Sequence, residues 1–285
     1  MSFIIKLVRH GESESNVGLV TAAQVGDHRV QLTENGKLQA SQTGAQIGEA
    51  FIRNALLYRS PYQRTRQTMQ HLLEGAGVDP DSVRIFEDPR LREIDPGYAD
   101  YEKQREKRRK YGWFYYRFKG GEAPTDCYDR ICTFLESFRR QSERKGAKSA
   151  LIVSHGLTIR CFVMRYMHLS VEEFERLDNP HNCDVITIAP KDQLQNPQFI
   201  SGNWGIEGLR LRQPSGSKKL SPATPAQPES DRASSTTSKE TTNPQGLLPC
   251  GKSKTSGKAK SCKKCRKLKK AGSLKHSKKC KVRAG

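Results

Sequence analysis

The 285-residue chain has no apolar run approaching the roughly 20 residues a membrane-spanning helix needs. Its opening run, Phe3-Ile4-Ile5-Lys6-Leu7-Val8, is broken by Lys6 and closed by Arg9, which leaves no stretch resembling the apolar segment of a secretory signal. The expectation is a soluble, intracellular chain without a membrane partner. Aromatic residues are scarce at 7%, and hydrophobic residues make up 34%. That is lean for the length, so part of the chain is expected to lie outside the core. Acidic residues are missing from one region in particular: from Gln213 onward 3 Asp+Glu face 19 Lys+Arg, whereas residues 1–212 hold 27 against 31. The net charge of +20 is therefore largely a property of the C-terminal end, and any nucleic-acid reading drawn from it applies there.

Residues 213–249 also have almost no large apolar side chains and are rich in Ser, Thr, Pro, Gln and Lys, the composition of a disordered linker. Residues 250–285 form a basic, cysteine-containing tail. Within it, Cys262, Cys265, His276 and Cys280 have spacing close to that of a small zinc site, though only Leu268, Ala271 and Leu274 could form its core. The commoner meaning of such a lysine-rich end is a nuclear or nucleolar address read by an import receptor, or loose binding to nucleic acid. The expected location is cytoplasmic, with nuclear or nucleolar placement through the basic tail as the alternative. Without a secretory context, Cys127, Cys132, Cys161 and Cys183 read as small buried thiols.

Residues 1–212 carry the folded pattern. Phe3–Val8 reads as a buried strand, Glu12–Arg29 as a loop, and Thr33 as the N-cap of a helix from about Glu34 to Ile52. A strand at Ala55–Tyr58 runs into Ser60-Pro61, with Pro61 placed near the first position of the next helix. Val83–Phe86 reads as a short strand, followed by an irregular segment around Glu93. Tyr98–Pro124 reads as an irregular insertion with a basic run (Lys103, Arg105, Lys107, Arg108, Arg109, Lys110) and an aromatic cluster from Tyr111 to Phe118. A helix from about Thr125 to Lys145 has a stripe at Tyr128, Ile131, Leu135 and Phe138. Ala150–Val153 is continuous and apolar, as a buried parallel strand is. A helix follows at Leu157–Met167, then a helical turn near Val171–Leu177 and a strand at Asp184–Ile188. The alternation predicts an α/β fold: a mainly parallel sheet with helices on both faces.

Four groups of chemistry-bearing residues follow strands: Arg9-His10-Gly11, Arg64, Glu93 and His155-Gly156. In a parallel sheet such positions share one edge and can form one pocket. Two histidines, two arginines and a carboxylate suit phosphoryl transfer, because guanidinium forks pair with phosphate oxygens. The backbone N–H groups at the helix start after Gly156 could add anion contacts. Gly11 is expected to let the backbone turn and approach a ligand.

The residues Arg9-His10-Gly11-Glu12-Ser13 with Asn16, Leu32-Thr33 with Gly36, Ser60-Pro61 with Arg64-Thr65 and Thr68, Leu91-Arg92-Glu93, Gly121-Glu122 and Val153-Ser154-His155-Gly156 resemble the histidine phosphatase superfamily, phosphoglycerate mutase branch. Tyr115–Phe118 and Phe134–Glu136 are similar to the phosphoglycerate-mutase-like proteins of plants and fungi. The resemblance spans about residues 1–190. It implies that His10 is a nucleophile forming a phosphohistidine and that Arg9, Arg64 and His155 hold the transferring phosphoryl group. It further implies that Asn16 and Gly156 contact phosphate, and that Glu93 is general acid and then base. No metal or other cofactor is required, since the cations compensate the charge.

The resulting expectation is a metal-independent phosphatase acting on a small phosphate monoester. One alternative is a phosphoglycerate-type phosphomutase. Another is a non-enzymatic platform whose basic tail binds nucleic acid or a partner. His28, His71, His168 and His181 are read as structural or surface residues. The aromatic cluster is read as core of the insertion in preference to a substrate platform, and the basic run as a solvated face in preference to a substrate attractor. Oligomeric state and substrate are not set by the sequence.

Overall fold

A computed structural model describes residues 3–98 and 101–212. The linker and tail, with Cys262, Cys265, His276 and Cys280, lie outside the described residues. Seven strands form one sheet: β1 (Ile4–Arg9), β2 (Leu56–Arg59), β3 (Ile85–Glu87), β4 (Ser149–Ser154), β5 (Val185–Pro190), β6 (Phe199–Ser201) and β7 (Trp204–Glu207), in the spatial order β3-β2-β4-β1-β5-β7-β6. The first four in that order are mutually parallel, as expected of a core sheet, and β5, β7 and β6 extend it by antiparallel pairing.

Eight helices accompany the sheet within the described residues: α1 (Ala22–Val25), α2 (Glu34–Ile47), α3 (Glu49–Asn54), α4 (Gln63–Gly75), α5 (Tyr101–Tyr111), α6 (Pro124–Lys145), α7 (Gly156–Met167) and α8 (Val171–Arg176). No helix among the described residues is long and apolar enough to cross a membrane. The strands' two-residue period divides the core. Ile5, Leu7, Tyr58, Ala150 and Ile152 face the layer of Phe134, Phe138 and Phe162 from α6 and α7. Val8, Leu57, Leu151 and Val153 face Ile52, Met69, Leu72 and Leu73 from α3 and α4. Strand β4 is buried at every residue, which explains its uninterrupted apolar character.

Several local expectations need correction. The helix from Thr33 does start there, with the Thr33 side chain accepting from Gly36 N–H, but it breaks at Gly48, whose φ of +83° admits no helical continuation. The loop before it contains α1. Pro61 does not open α4: Ser60 N–H still pairs with Val153 O, so Tyr62 is the N-cap and helix begins at Gln63. The insertion is not irregular throughout, because α5 occupies Tyr101–Tyr111. Its polar composition hides a helical period, and Arg108, Arg109 and Lys110 sit favourably in its last turn. The buried stripe of α6 is Cys127, Ile131, Phe134 and Phe138, with Tyr128 and Leu135 only partly covered.

The insertion's aromatic cluster divides. Phe114 and Phe118 are buried and Trp113 and Tyr116 pack against the core, whereas Tyr111 and Tyr115 are exposed. Arg108 is buried over the Trp113 and Phe118 rings, unlike the exposed Lys107, Arg109 and Lys110. The thiols Cys127, Cys161 and Cys183 are buried, Cys132 is half-buried, and all four are free.

Candidate active site

Parallel pairing puts the carboxyl ends of β1, β4 and β2 side by side, with Arg9 opposite Ser154 and Arg59 opposite Val153. His10 and His155 each stand one residue beyond those ends. His10 N–H donates to Ser154 O at 3.0 Å, which locks the two exits together. Their rings meet edge-on with centroids 5.2 Å apart. His10 is buried, and its Nδ1 lies 2.8 Å from Gly11 O. A carbonyl can only accept, so Nδ1 carries the hydrogen and Nε2 keeps its lone pair. Burial, and then the charges of Arg64 and Arg9, push the His10 pKa well below 6.5, so the ring is neutral at neutral pH.

His155 is fully buried, with Nε2 at 2.8 Å from Ser60 Oγ and Nδ1 without a partner among the described residues. Its pKa is likewise pushed well down, by burial first and Arg64 second. Tyr62 links the group: its ring lies 5.1 Å from that of His155 and 5.0 Å from the Arg64 guanidinium carbon. Arg9 donates from Nη1 to Pro180 O at 2.7 Å, and its buried Nε has no partner among the described residues. Burial lowers the Arg9 pKa, opposed by the charge of Glu93.

Glu93 is half-buried just before α7 in space. Its Oε1 accepts from Ile94 N–H at 3.0 Å and lies 3.3 Å from Thr158 Oγ1. Two hydroxyls fasten its loop: Ser154 Oγ donates to Leu91 O and Thr158 Oγ1 to Arg92 O. Arg92 is itself paired with Glu122. Gly156 opens α7 beside the Asn179 side chain, at the helix end that favours anions. Asn179 is in turn approached by Arg160, a buried cation between the Trp113 and Phe174 rings, whose pKa burial lowers to about 10.

The structure therefore brings Arg9, His10, Arg64, Glu93, His155 and Gly156 to one sheet edge. Asn16 joins through a residue the sequence did not single out. Asn182 donates to both His10 O, at 3.0 Å, and Asn16 Oδ1, at 3.1 Å. Asn16 Oδ1 also accepts from Ser13 N–H, so its Nδ2 is the group left for a ligand. Ser60 and Thr158 acquire positioning roles that a one-dimensional reading could not assign. Gly11 also serves the fold. A Cβ there would lie 2.4 Å from Gly36 O, so the small residue lets the β1 exit cross the first turn of α2.

The four histidines outside the pattern stay outside it. His71 pairs with Glu74, His168 caps α7 at φ +56°, His181 pairs its backbone with Asp184, and His28 sits on a turn. Among the described residues no cluster of three or more His, Cys, Asp or Glu side chains is placed to hold a metal. A groove of about 1000 Å³ between α6, the end of α7 and Trp204 is lined by Phe3 and Lys148, at the amino ends of β1 and β4. It lies across the length of the strands from the histidines.

Residues 5–200 match the model of the histidine phosphatase superfamily, branch 1. The chain belongs to the histidine phosphatase superfamily. Within it, the chain is 36% identical over 200 residues to the Arabidopsis thaliana phosphoglycerate mutase-like protein AT74, covering 64% of this chain and 63% of that one. It is 25% identical over 290 residues to the broad-range acid phosphatase DET1 of Saccharomyces cerevisiae, covering 67% and 86%. The chain thus spans under two thirds of AT74. A solved mycobacterial glucosyl-3-phosphoglycerate phosphatase complexed with VO3 shares the fold, with TM-score 0.54 at 20% identity over 73% of this chain and 97% of that one. Phosphatases and mutase-like proteins both stand among this superfamily chain's relatives.

Proposed function

We propose that the protein is a phosphatase that hydrolyses a phosphate monoester through a phosphohistidine on His10 Nε2. The observation that carries this is the fixed tautomer: Gly11 O holds the Nδ1 hydrogen, and the depressed pKa keeps Nε2 unprotonated. In the first step the Nε2 lone pair forms a bond to phosphorus while the bond from phosphorus to the ester oxygen breaks. Glu93 gives a proton to that departing oxygen, releasing an alcohol. In the second step water attacks phosphorus, the P–N bond breaks, its electrons return to Nε2, and Glu93 takes the water's proton.

Arg9 Nε and His155 Nδ1, both buried and unpartnered, supply donors for the phosphoryl oxygens. For His155 this requires the Ser60 hydroxyl to donate to Nε2, leaving the hydrogen on Nδ1. Asn16 Nδ2 and the amino end of α7 add further contacts. These charges and dipoles do the work that a metal does in other phosphoryl-transfer enzymes.

Phosphatase is preferred to mutase on the relationship to a broad-range acid phosphatase. The test is turnover of a panel of phosphorylated sugars, glycerates, nucleotides and inositols with EDTA present. Inorganic phosphate release that persists in EDTA and vanishes in His10→Ala is the expected result. Isomerised phosphoglycerate without phosphate release would favour the mutase, and activity retained in His10→Ala would remove the mechanism.

A further inference from the structure

Arg64 is not poised in isolation. Its Nη1 donates to both Asp27 O, at 2.7 Å, and Asp27 Oδ1, at 2.8 Å, and its Nη2 donates to Asp27 Oδ2 at 3.2 Å. A guanidinium has five N–H hydrogens, and this arrangement uses three of them at the end of the fork. Among the described residues nothing accepts from Nε or from the second Nη2 hydrogen. Those two lie on one lateral edge of the plane, parallel to each other, in the pattern that matches two oxygens of a phosphoryl group.

We infer that Asp27 is a positioning residue: it grips the end of the Arg64 fork and so presents the lateral edge to the phosphoryl group. This rests on the reading of Arg64 as a phosphate-binding residue. The pair has the burial such a device needs, since the Arg64 side chain is only 5% exposed while Asp27 is 30% exposed at the rim. The rest of the guanidinium is confined as well, with Tyr62 over its face and the Arg64 backbone O accepting from Thr68, whose hydroxyl oxygen also accepts from Gly11 N–H. Asp27 thus completes a chain of contacts that fixes Arg64 relative to the His10 exit. It comes from the turn after α1, in a segment whose Val17 and Leu19 are exposed, so the clasp also fastens that segment to the site.

The alternative is that the Asp27 carboxylate competes with the substrate phosphate for Arg64. The two roles predict opposite signs. Calorimetric binding of orthovanadate to the full chain tests them, using Arg64→Ala, Asp27→Ala, Asp27→Asn and the Arg64→Ala/Asp27→Ala double variant, with thermal unfolding of each measured in parallel. Arg64→Ala should weaken vanadate binding, and Asp27→Ala should weaken it roughly 10- to 100-fold, the scale of a misplaced contact group. Asp27→Asn, which keeps one acceptor, should fall between Asp27→Ala and the parent. The double variant should bind no more weakly than Arg64→Ala, because Asp27 acts through Arg64.

Unchanged or tighter binding in Asp27→Ala, with Arg64→Ala weakened, would overturn the positioning role and leave the phosphatase reading intact. A fully additive double variant would also overturn it, since Asp27 would then act on the fold and not through Arg64. Unchanged binding in Arg64→Ala would remove the phosphoryl role of Arg64 and the clasp with it.

Discussion

His10 and His155 are two imidazoles within ring contact, both buried and both pressed by the charge of Arg64. Burial first, and then the charge of Arg64, which a second cation would meet, hold both pKa values well below 6.5. In a pH titration followed by NMR neither ring should show a transition centred near 6.5, and Arg64→Ala should raise both pKa values. Two ordinary titrations near 6.5 would show that neither burial nor the cations act on them. The linkage has a definite sign. The unfolded chain binds these protons near pH 6.5 and the folded chain does not, so this contribution to stability is full above that pH and is lost as pH falls below it. For Glu93, replacement by Gln keeps the acceptor for Ile94 N–H but removes proton transfer. Steady-state kinetics should show kcat reduced roughly 10²- to 10⁴-fold with KM little changed. A loss confined to KM would assign Glu93 to binding alone.

The exits of three strands define where these residues stand, and the adjoining helices define how closely. The β1 exit crosses the amino end of α2 with no room for a side chain: a Cβ on Gly36 would lie 2.0 Å from Glu12 O. Gly36→Ala should therefore destabilise the fold by about 1–3 kcal/mol in denaturant unfolding and displace the His10 loop, lowering activity as well. Unchanged stability would mean that the crossing is looser than the geometry shows. Elements with strong apolar periodicity were legible in the sequence, notably β1, β4 and α7. Those missed carry weak signals. β6 and β7 span only 3 and 4 residues, α1 spans 4, and α5 is polar around most of its circumference. The break at Gly48 was hidden because Ala40, Gly44, Ile47 and Phe51 keep one spacing across it, although the backbone there leaves the helical region.

Across the molecule, the parallel half of the sheet brings the chemistry together and the antiparallel half supplies Asn182 from the approach to β5. Residues carried by local motifs, such as Arg9-His10-Gly11 and His155-Gly156, could be placed from sequence because strand end, turn and reactive side chain coincide there. Asp27, Asn182 and the Ser60 hydroxyl could not be assigned this way. They act through partners 37, 172 and 95 positions away, which only the folded sheet makes neighbours. The central claim is covalent, and it is tested most directly by stopping turnover of a ³²P-labelled ester in alkali, where a P–N bond to imidazole survives, and locating the label by peptide mapping. Label is expected on the peptide containing His10, lost on acid treatment and absent from His10→Ala. Rapid turnover with no alkali-stable label on any histidine, or label on His155 in place of His10, would contradict it.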